Sequence, residues 1–302
     1  MDKKGLWLAI GAYGLWGLFP LYWKQLHAIP ALEVVAHRVV WSLVFLAGVV
    51  LVSRRVGEVR QAFRRKKVVL VYSIAAILLA VNWLVFIWGI NAGYVVEASL
   101  GYFINPLVSV LLGVIFFQER LRIGQWTAIA IAAVGVGYLT VRYGQLPWIA
   151  LVLAFSFGSY GLIKKLASLD ALAGQTMEMT MLAVPATLFL LFREATVGGG
   201  FVHAGVLPTV LLILGGAVTA IPLLMFTGAA RRIPLSVVGL LQYIAPTMQF
   251  SIGVWIYGED FSPARVVGFS IIWFALAVYT AEGLYRRRRE RRETVVPVPL
   301  EL

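Results

Sequence analysis

The stretch VVLVYSIAAILLAVNWLVFIWGI fills residues 68–90 without one charged side chain, and Arg64, Arg65, Lys66 and Lys67 stand directly before it. At a helical rise of 1.5 Å per residue such a run is about 35 Å long, enough to cross a hydrocarbon core of about 30 Å. Hydrocarbon offers the backbone no hydrogen-bond partners, so a single crossing segment has to be an α-helix. The four cations mark the end that stays in the cytoplasm, because Lys and Arg are retained on that side.

Working outward, similar apolar runs predict spans at 5–23, 31–52, 68–90, 95–117, 124–141, 148–166, 171–192, 208–230, 234–257 and 263–284. The composition agrees: 61% of residues are apolar and 13% charged, whereas soluble domains hold about 45–50% and about 25%. The first run follows Met1, Asp2, Lys3 and Lys4 in the charge order of a signal peptide. It is longer than an h-region and carries Trp7, Trp16 and Pro20, so it reads as a retained helix.

An even number of spans puts both termini on one side. With the N-terminus in the cytoplasm, 21 of the 26 Lys and Arg fall in inner loops or the tail, and four (Lys24, Arg142, Arg193, Arg265) fall outside. Arg38 lies within the second span. Cations spread over the N-terminus, four loops and a tail are an orientation signal, so the net charge of +12 does not make nucleic acid a partner. The cluster at residues 64–67 also suits anionic headgroups, with the lipid bilayer as its partner. There is no cysteine, which removes disulfides, thiolate metal sites and a cysteine nucleophile.

A repeat runs through the chain. Pro106, Gly113 and Glu119 recur as Pro246, Gly253 and Glu259, each 140 residues later, and Gly14-Leu15-Trp16-Gly17 faces Gly158-Ser159-Tyr160-Gly161 at an offset of 144. Five spans per half is an odd number, so the second half enters the membrane inverted, as in alternating-access transporters. The predicted fold is all-α and integral to the membrane: ten transmembrane helices in two inverted five-helix repeats around a central cavity. The repeats take residues 1–143 and 144–285, and 286–302 form a basic cytoplasmic tail.

The sequence from Phe116 to Trp126, FFQERLRIGQW, followed by the Gly-rich span ending in Gly135-Val136-Gly137, resembles the join between the fourth and fifth helices of the EamA domain. That domain belongs to the drug/metabolite transporter superfamily. The opening Lys3-Lys4-Gly5, the stretch YGLWGLFPLYWK at residues 13–24, and His37-Arg38 resemble its RarD branch, over nearly the whole chain. The resemblance implies a bacterial inner-membrane permease with two five-helix repeats around a cavity and both termini cytoplasmic. The second half departs from it, with Gly258-Glu259-Asp260-Phe261-Ser262-Pro263 in place of the basic join. An outer position for that loop fits the loss of its cations.

Ionisable groups inside spans are expensive and are functional candidates by default. Arg38 and His37 lie about two turns into the second span, with Glu33 one turn before His37. Arg38 either binds a carboxylate substrate or snorkels outward with Glu33 as partner, and His37 titrates near neutral pH. Glu178 has no sequence-local cation and reads either as a proton carrier or as a buried, hydrogen-bonded carboxyl. Asn82, Trp83, Tyr102, Asn105, Tyr160, Gln242 and Tyr243 put amides and aromatics at membrane depth, either lining a cavity or bonding neighbouring helices. Pro106 and Pro246 each free a backbone carbonyl and kink a helix. Glu97, Glu119 and Glu259 stand at span ends and suit helix-end roles.

No phosphate-binding loop and no HExxH pair occurs, and three scattered histidines support no metal site. The chain therefore reads as no enzyme and as needing no cofactor. The function expected is a secondary transporter of a small metabolite or drug-like molecule by alternating access, driven by protons or by exchange. The alternatives are a passive facilitator or channel and, further off, a membrane-embedded enzyme or assembly factor.

Overall fold

The computed structural model describes residues 2–117, 123–143, 146–166, 168–230, 232–233 and 241–293. Among them there is no strand. Gln118 to Arg122, with the predicted helix-end residue Glu119, and residues 234–240 of the ninth predicted span lie outside the described residues.

The first predicted span is broken rather than continuous. Helix α1 (Lys3–Gly17) ends at Leu18, α2 (Phe19–Trp23) restarts with Pro20 in its first turn, and a 3-10 turn (Lys24–Leu26) follows. Pro20 has no N–H, so the Trp16 carbonyl one turn earlier loses its helical donor. The side chain of Gln249 supplies a replacement, its Nε2 donating to that oxygen at 3.0 Å. Then come α3 (Ala31–Val52), α4 (Val56–Phe63), α5 (Lys66–Asn91), α6 (Val95–Phe117), α7 (Ile123–Tyr143) and α8 (Trp148–Leu166). After them run α9 (Ala171–Val197), α10 (Val206–Ala230), α11 (Ile244–Ser251), which continues as a π-helical turn (Ile252–Ile256), and α12 (Pro263–Glu293).

Six helical segments among the described residues are long and apolar enough to cross a membrane: Lys3–Leu26, Ala31–Val52, Lys66–Asn91, Ala171–Val197, Val206–Phe226 and Pro263–Glu282. Trp126–Arg142, Trp148–Lys164 and Ile244–Ile256 are apolar but shorter. On α9, Val184, Leu188, Leu191 and Phe192 share one face and are each at least 62% exposed. A helix surface in water avoids such a stripe, whereas lipid is its natural solvent. Two features were not legible as spans. Helix α4, read as loop, is short and amphipathic, and α12 continues as helix to Glu293, so the basic run begins on a helix rather than in a free tail.

The chain forms two compact units, each drawing on both halves of the sequence. One comprises Met1–Leu112 with Trp148–Asp260, and the other Gly113–Pro147 with Phe261–Leu302. In the second, α7 lies along α12, with Gly135 against Ile272 and Gly268 against Leu139. In the first, Trp23, Leu79, Ile87, Leu153 and Met179 are buried in one core. Small residues set the closest approaches there: a Cβ at Gly216 would stand 2.3 Å from the Trp41 backbone, and one at Gly101 2.7 Å from the Ala150 carbonyl.

Helix α3 gives the first unit two ends. At its start the Glu33 carboxylate accepts from the Gly200 N–H and pairs with Arg193. Just past its far end Arg55 pairs with Asp170 and with Glu58. The Arg55 hydrogen bond holds the Glu58 carboxyl below the usual carboxylate range. Partial burial pushes the Asp170 carboxyl up, but the Ala173 N–H and Arg55 outweigh it and leave it lowered.

Candidate functional site

Inside the first unit lies a cavity of about 100 Å³. Of the predicted site residues, Arg38, Asn82, Trp83, Tyr102, Gln242 and Pro246 line it. Arg38 is 3% exposed. Its Nε donates to Thr219 Oγ1 of α10 at 2.7 Å. Its Cζ sits 3.9 Å from the Trp83 ring centroid, 4.9 Å from that of Trp23 and 5.4 Å from that of Phe19. No carboxylate among the described residues reaches it, and its Nη1 has no partner. Desolvating a cation costs several kcal/mol, and each aromatic face returns about 0.5–2 kcal/mol. The rings and Thr219 offset part of that cost, and the described residues bring the guanidinium no anion.

The wall beside it is held in place by hydrogen bonds. Asn82 donates to the Leu153 carbonyl at 3.1 Å and to Ser156 Oγ at 3.0 Å, while its Oδ1 accepts from the Tyr102 hydroxyl at 3.1 Å. Asn82 thus both lines the cavity and ties α5 to α6 and α8. Gln249, occupied at one end by the Trp16 carbonyl, presents an unpartnered Oε1. Trp16, Phe86, Phe157 and Phe226 make most of the remaining surface aromatic.

Other predicted residues lie elsewhere. His37 stacks on Phe201, with ring centroids 5.0 Å apart, in a separate pocket with Glu33, Glu194 and His203. Successive helical residues point about 100° apart, so Glu33 and His37, four apart, share a face that Arg38 leaves. The carboxylate expected as partner of Arg38 therefore serves Arg193 and Gly200 instead. Asn105 is buried beside Gly158, and Tyr243 stacks on Phe103. Pro106 lies within α6, its side chain outside the described ones.

Tyr160 lines a second cavity of about 320 Å³ and bonds to Glu178, which is buried behind the wall. Tyr160 donates to Glu178 Oε2 at 3.1 Å, and Lys164 Nζ stands 2.7 Å from Oε1. Glu178 has no cation near it in sequence, yet the fold brings one. The two cavities share Trp16, Phe157, Leu223 and Phe226 as walls, so they lie side by side, one against Arg38 and the other against Lys164 and Asp170.

At the other end of the unit hydrogen bonds tie the helix ends to one another. The Glu259 carboxylate accepts from the N–H groups of Val95 and Val96 at 2.7 and 2.8 Å, capping α6. Lys24 donates to the Ile90 carbonyl at 2.8 Å, and the Tyr257 hydroxyl to that of Pro20 at 3.2 Å. Thr219, Lys164, Gln175 and the ring of Trp23 were missed by sequence reasoning. Lys164 looked like one more inner-loop cation, and Thr219 carries no signal beyond being a polar residue in an apolar run.

The EamA-like transporter family model matches residues 3–141. Protein RarD of Streptomyces exfoliatus is 45% identical, covering 99% of this chain and 96% of that protein. An uncharacterized transporter of Bacillus subtilis, YojE, is 45% identical over 96% of this chain and 97% of its own. A crystal structure superposes with a TM-score of 0.62 at 18% identity, over 93% of this chain and 99% of that one, a likeness of fold. With apolar helices of spanning length and relatives matched from end to end, the chain is a multi-pass bacterial membrane transporter, not an enzyme, and it belongs to the EamA-like transporter family in its RarD group.

Proposed function

We propose that the protein is a secondary transporter that carries a small organic anion with an apolar body across the bacterial inner membrane by alternating access. The observation that carries this reading is Arg38: a guanidinium 3% exposed, stacked on aromatic rings, with an unpartnered Nη1 at a cavity and no carboxylate in reach among the described residues. A buried cation of that kind is completed by a ligand carboxylate, and the aromatic walls receive the rest of the molecule.

The inverted-repeat reading is supported by which helices meet. At the repeat offset α1, α3 and α5 correspond to α8, α9 and α10. Helix α1 packs on α10 as α8 packs on α5, α3 packs on α10 as α9 packs on α5, and the corresponding pair α3 and α9 meet each other. Both termini lie in the cytoplasm, as the split of cations demands. Together the two adjacent cavities make one passage that opens on the cytoplasmic side by Lys164, and the ties at Glu259, Lys24 and Tyr257 close the outer side. Transport requires those ties to break and the inner end to close.

Proteoliposomes carrying the purified protein test this with a panel of labelled carboxylates, with and without a pH gradient. Saturable uptake and counterflow, lost in Arg38→Ala, are expected. Uptake that never saturates and shows no counterflow identifies a passive facilitator, and full uptake in Arg38→Ala removes the assigned site.

A further inference from the structure

The second cavity holds chemistry that a mere exit route does not need. Lys164 approaches it with its side chain 25% exposed, while its partner Glu178 stands behind at 0%. The ammonium also lies 4.9 Å from the Tyr72 ring centroid and 5.5 Å from that of Tyr160. Gln175, 4% exposed, lines the same cavity with an Nε2 that has no partner. A buried amide donor left unsatisfied costs about 1–3 kcal/mol unless something fills it. Position 174 must stay small, since a Cβ there would stand 2.7 Å from Tyr72 and 3.1 Å from Lys164 Nζ. The glycine admits the ammonium to the carboxylate.

We propose that Lys164 and Gln175 form a second carboxylate-binding station in the passage, with Glu178 as the exchangeable partner of Lys164. The proposal rests on reading the Arg38 cavity as a substrate site. When the ligand carboxylate takes the Lys164 ammonium, Glu178 loses its cation in a desolvated place and takes a proton from water at the inner mouth. Lys164 stays charged throughout, and the Tyr160 hydroxyl turns from donor to acceptor for the new Glu178 O–H. One anion and one proton enter together, so the step moves no net charge. The other groups facing Glu178 and Lys164 cannot substitute. Tyr72 and Tyr160 are phenols, and Asp170, at the mouth, is paired with Arg55.

The two stations differ in a way that gives transport a direction at each encounter. No carboxylate among the described residues competes with the ligand for Arg38, whereas Lys164 releases its ligand whenever Glu178 loses its proton. A rise in pH on the inner side therefore empties the second station and leaves the first untouched.

The test uses the full chain in lipid nanodiscs with phenylacetate as probe and phenylacetamide as its neutral match. Binding is followed by tryptophan fluorescence, and proton uptake by a pH dye in weak buffer. Wild type is expected to prefer phenylacetate and to take up as much as one proton per anion. Glu178→Gln should bind at least as tightly, without proton uptake. Lys164→Gln should abolish proton uptake and weaken binding roughly tenfold or more, and Lys164→Arg should restore both. Arg38→Ala should keep the proton-linked component alone. If Lys164→Gln and Glu178→Gln match wild type while Arg38→Ala loses binding, the second station is overturned and the Arg38 site stands. If wild type does not distinguish the acid from its amide, both fall.

Discussion

Two cations stand at neighbouring cavities, Arg38 buried and Lys164 half-buried, and their surroundings are opposite. Arg38 rests among Trp83, Trp23 and Phe19, fixed by Thr219 through one nitrogen and given no carboxylate by the described residues. Lys164 is given a carboxylate outright, 2.7 Å away on Glu178. A planar guanidinium stacks on rings and keeps a forked edge free for a carboxylate, while an ammonium is a point charge that changes partners easily. Placement of a charge and its pairing are thus separate decisions in this fold. A second contrast runs between the ends of the unit: the one at Glu259, Lys24 and Tyr257 is laced to backbone N–H and carbonyl groups, and the one at Lys164 lines a cavity.

The largest effect is expected where the unpaired cation is removed. Arg38→Ala should reduce saturable carboxylate uptake roughly a hundredfold or more, since charge pairs truncated on one side lose about 2–5 kcal/mol. Arg38→Lys keeps the charge but loses the Nε bond and the stacking. It should fall between the two when initial uptake rates are compared. Loss comparable to Arg38→Ala would mean that guanidinium geometry, not charge, defines the station.

Next comes the ring beneath it. Trp83→Leu should raise the half-saturating probe concentration about three- to thirtyfold, the range of about 0.5–2 kcal/mol for a cation against an aromatic face. Trp83→Phe should recover part of that. An unchanged value in Trp83→Leu would assign the ring to packing alone.

The contrast between the ends is sharpened with Glu259→Gln. An amide offers one oxygen where the carboxylate serves two N–H groups, and it brings no charge to the start of α6, so the outer tie should weaken by about 1 kcal/mol or more. A reporter is convenient because the chain has no cysteine. A Cβ at Gly161 meets nothing within 4 Å and faces the inner cavity, so Gly161→Cys provides a single thiol. Maleimide should label it readily from the cytoplasmic side of inverted vesicles, and more slowly once Glu259→Gln is added. Equal rates in both backgrounds would detach the outer tie from the inner opening.

The smallest effect concerns the carboxylates paired with Arg55, outside the spans. Asp170 and Glu58, both held below the usual carboxylate range with Arg55 beside them, stabilise the fold above the ordinary carboxyl pKa of about 4. Their contribution is lost as pH falls through their lowered values, since each must then take a proton. Thermal melts of the detergent-solubilised protein should therefore steepen in their pH dependence below about pH 4. Asp170→Asn should flatten that part of the curve, by less than about 1 kcal/mol because the pair is partly exposed. A steeper acid limb in the variant would contradict the role.

Much of this was legible in the chain, and particular residues show where legibility stops. Residues 68–90 are read as a helix because their apolar length meets a solvent that tolerates nothing else, and they form part of α5. Arg38 stands out because an ionised group in such a run is costly. The Glu33, His37 and Arg38 grouping was less informative, since proximity in sequence is not a shared face. Pro20 announced a break, but nothing near it announced Gln249 as the donor to the stranded Trp16 carbonyl.

Composition, apolar run length and the distribution of cations thus determined by themselves that this is a multi-pass membrane protein, and a stretch of familiar residues placed it in its family. These properties are sums over local sequence against a uniform solvent, so no partner has to be known. Only the tertiary structure decided that no carboxylate among the described residues reaches Arg38, that Lys164 has one, and that Trp16, Phe157, Leu223 and Phe226 wall both cavities. Pairing energies fall off within a few ångströms, and the groups that complete these sites come from different helices, Glu178 lying 14 residues from Lys164 and Thr219 lying 181 residues from Arg38.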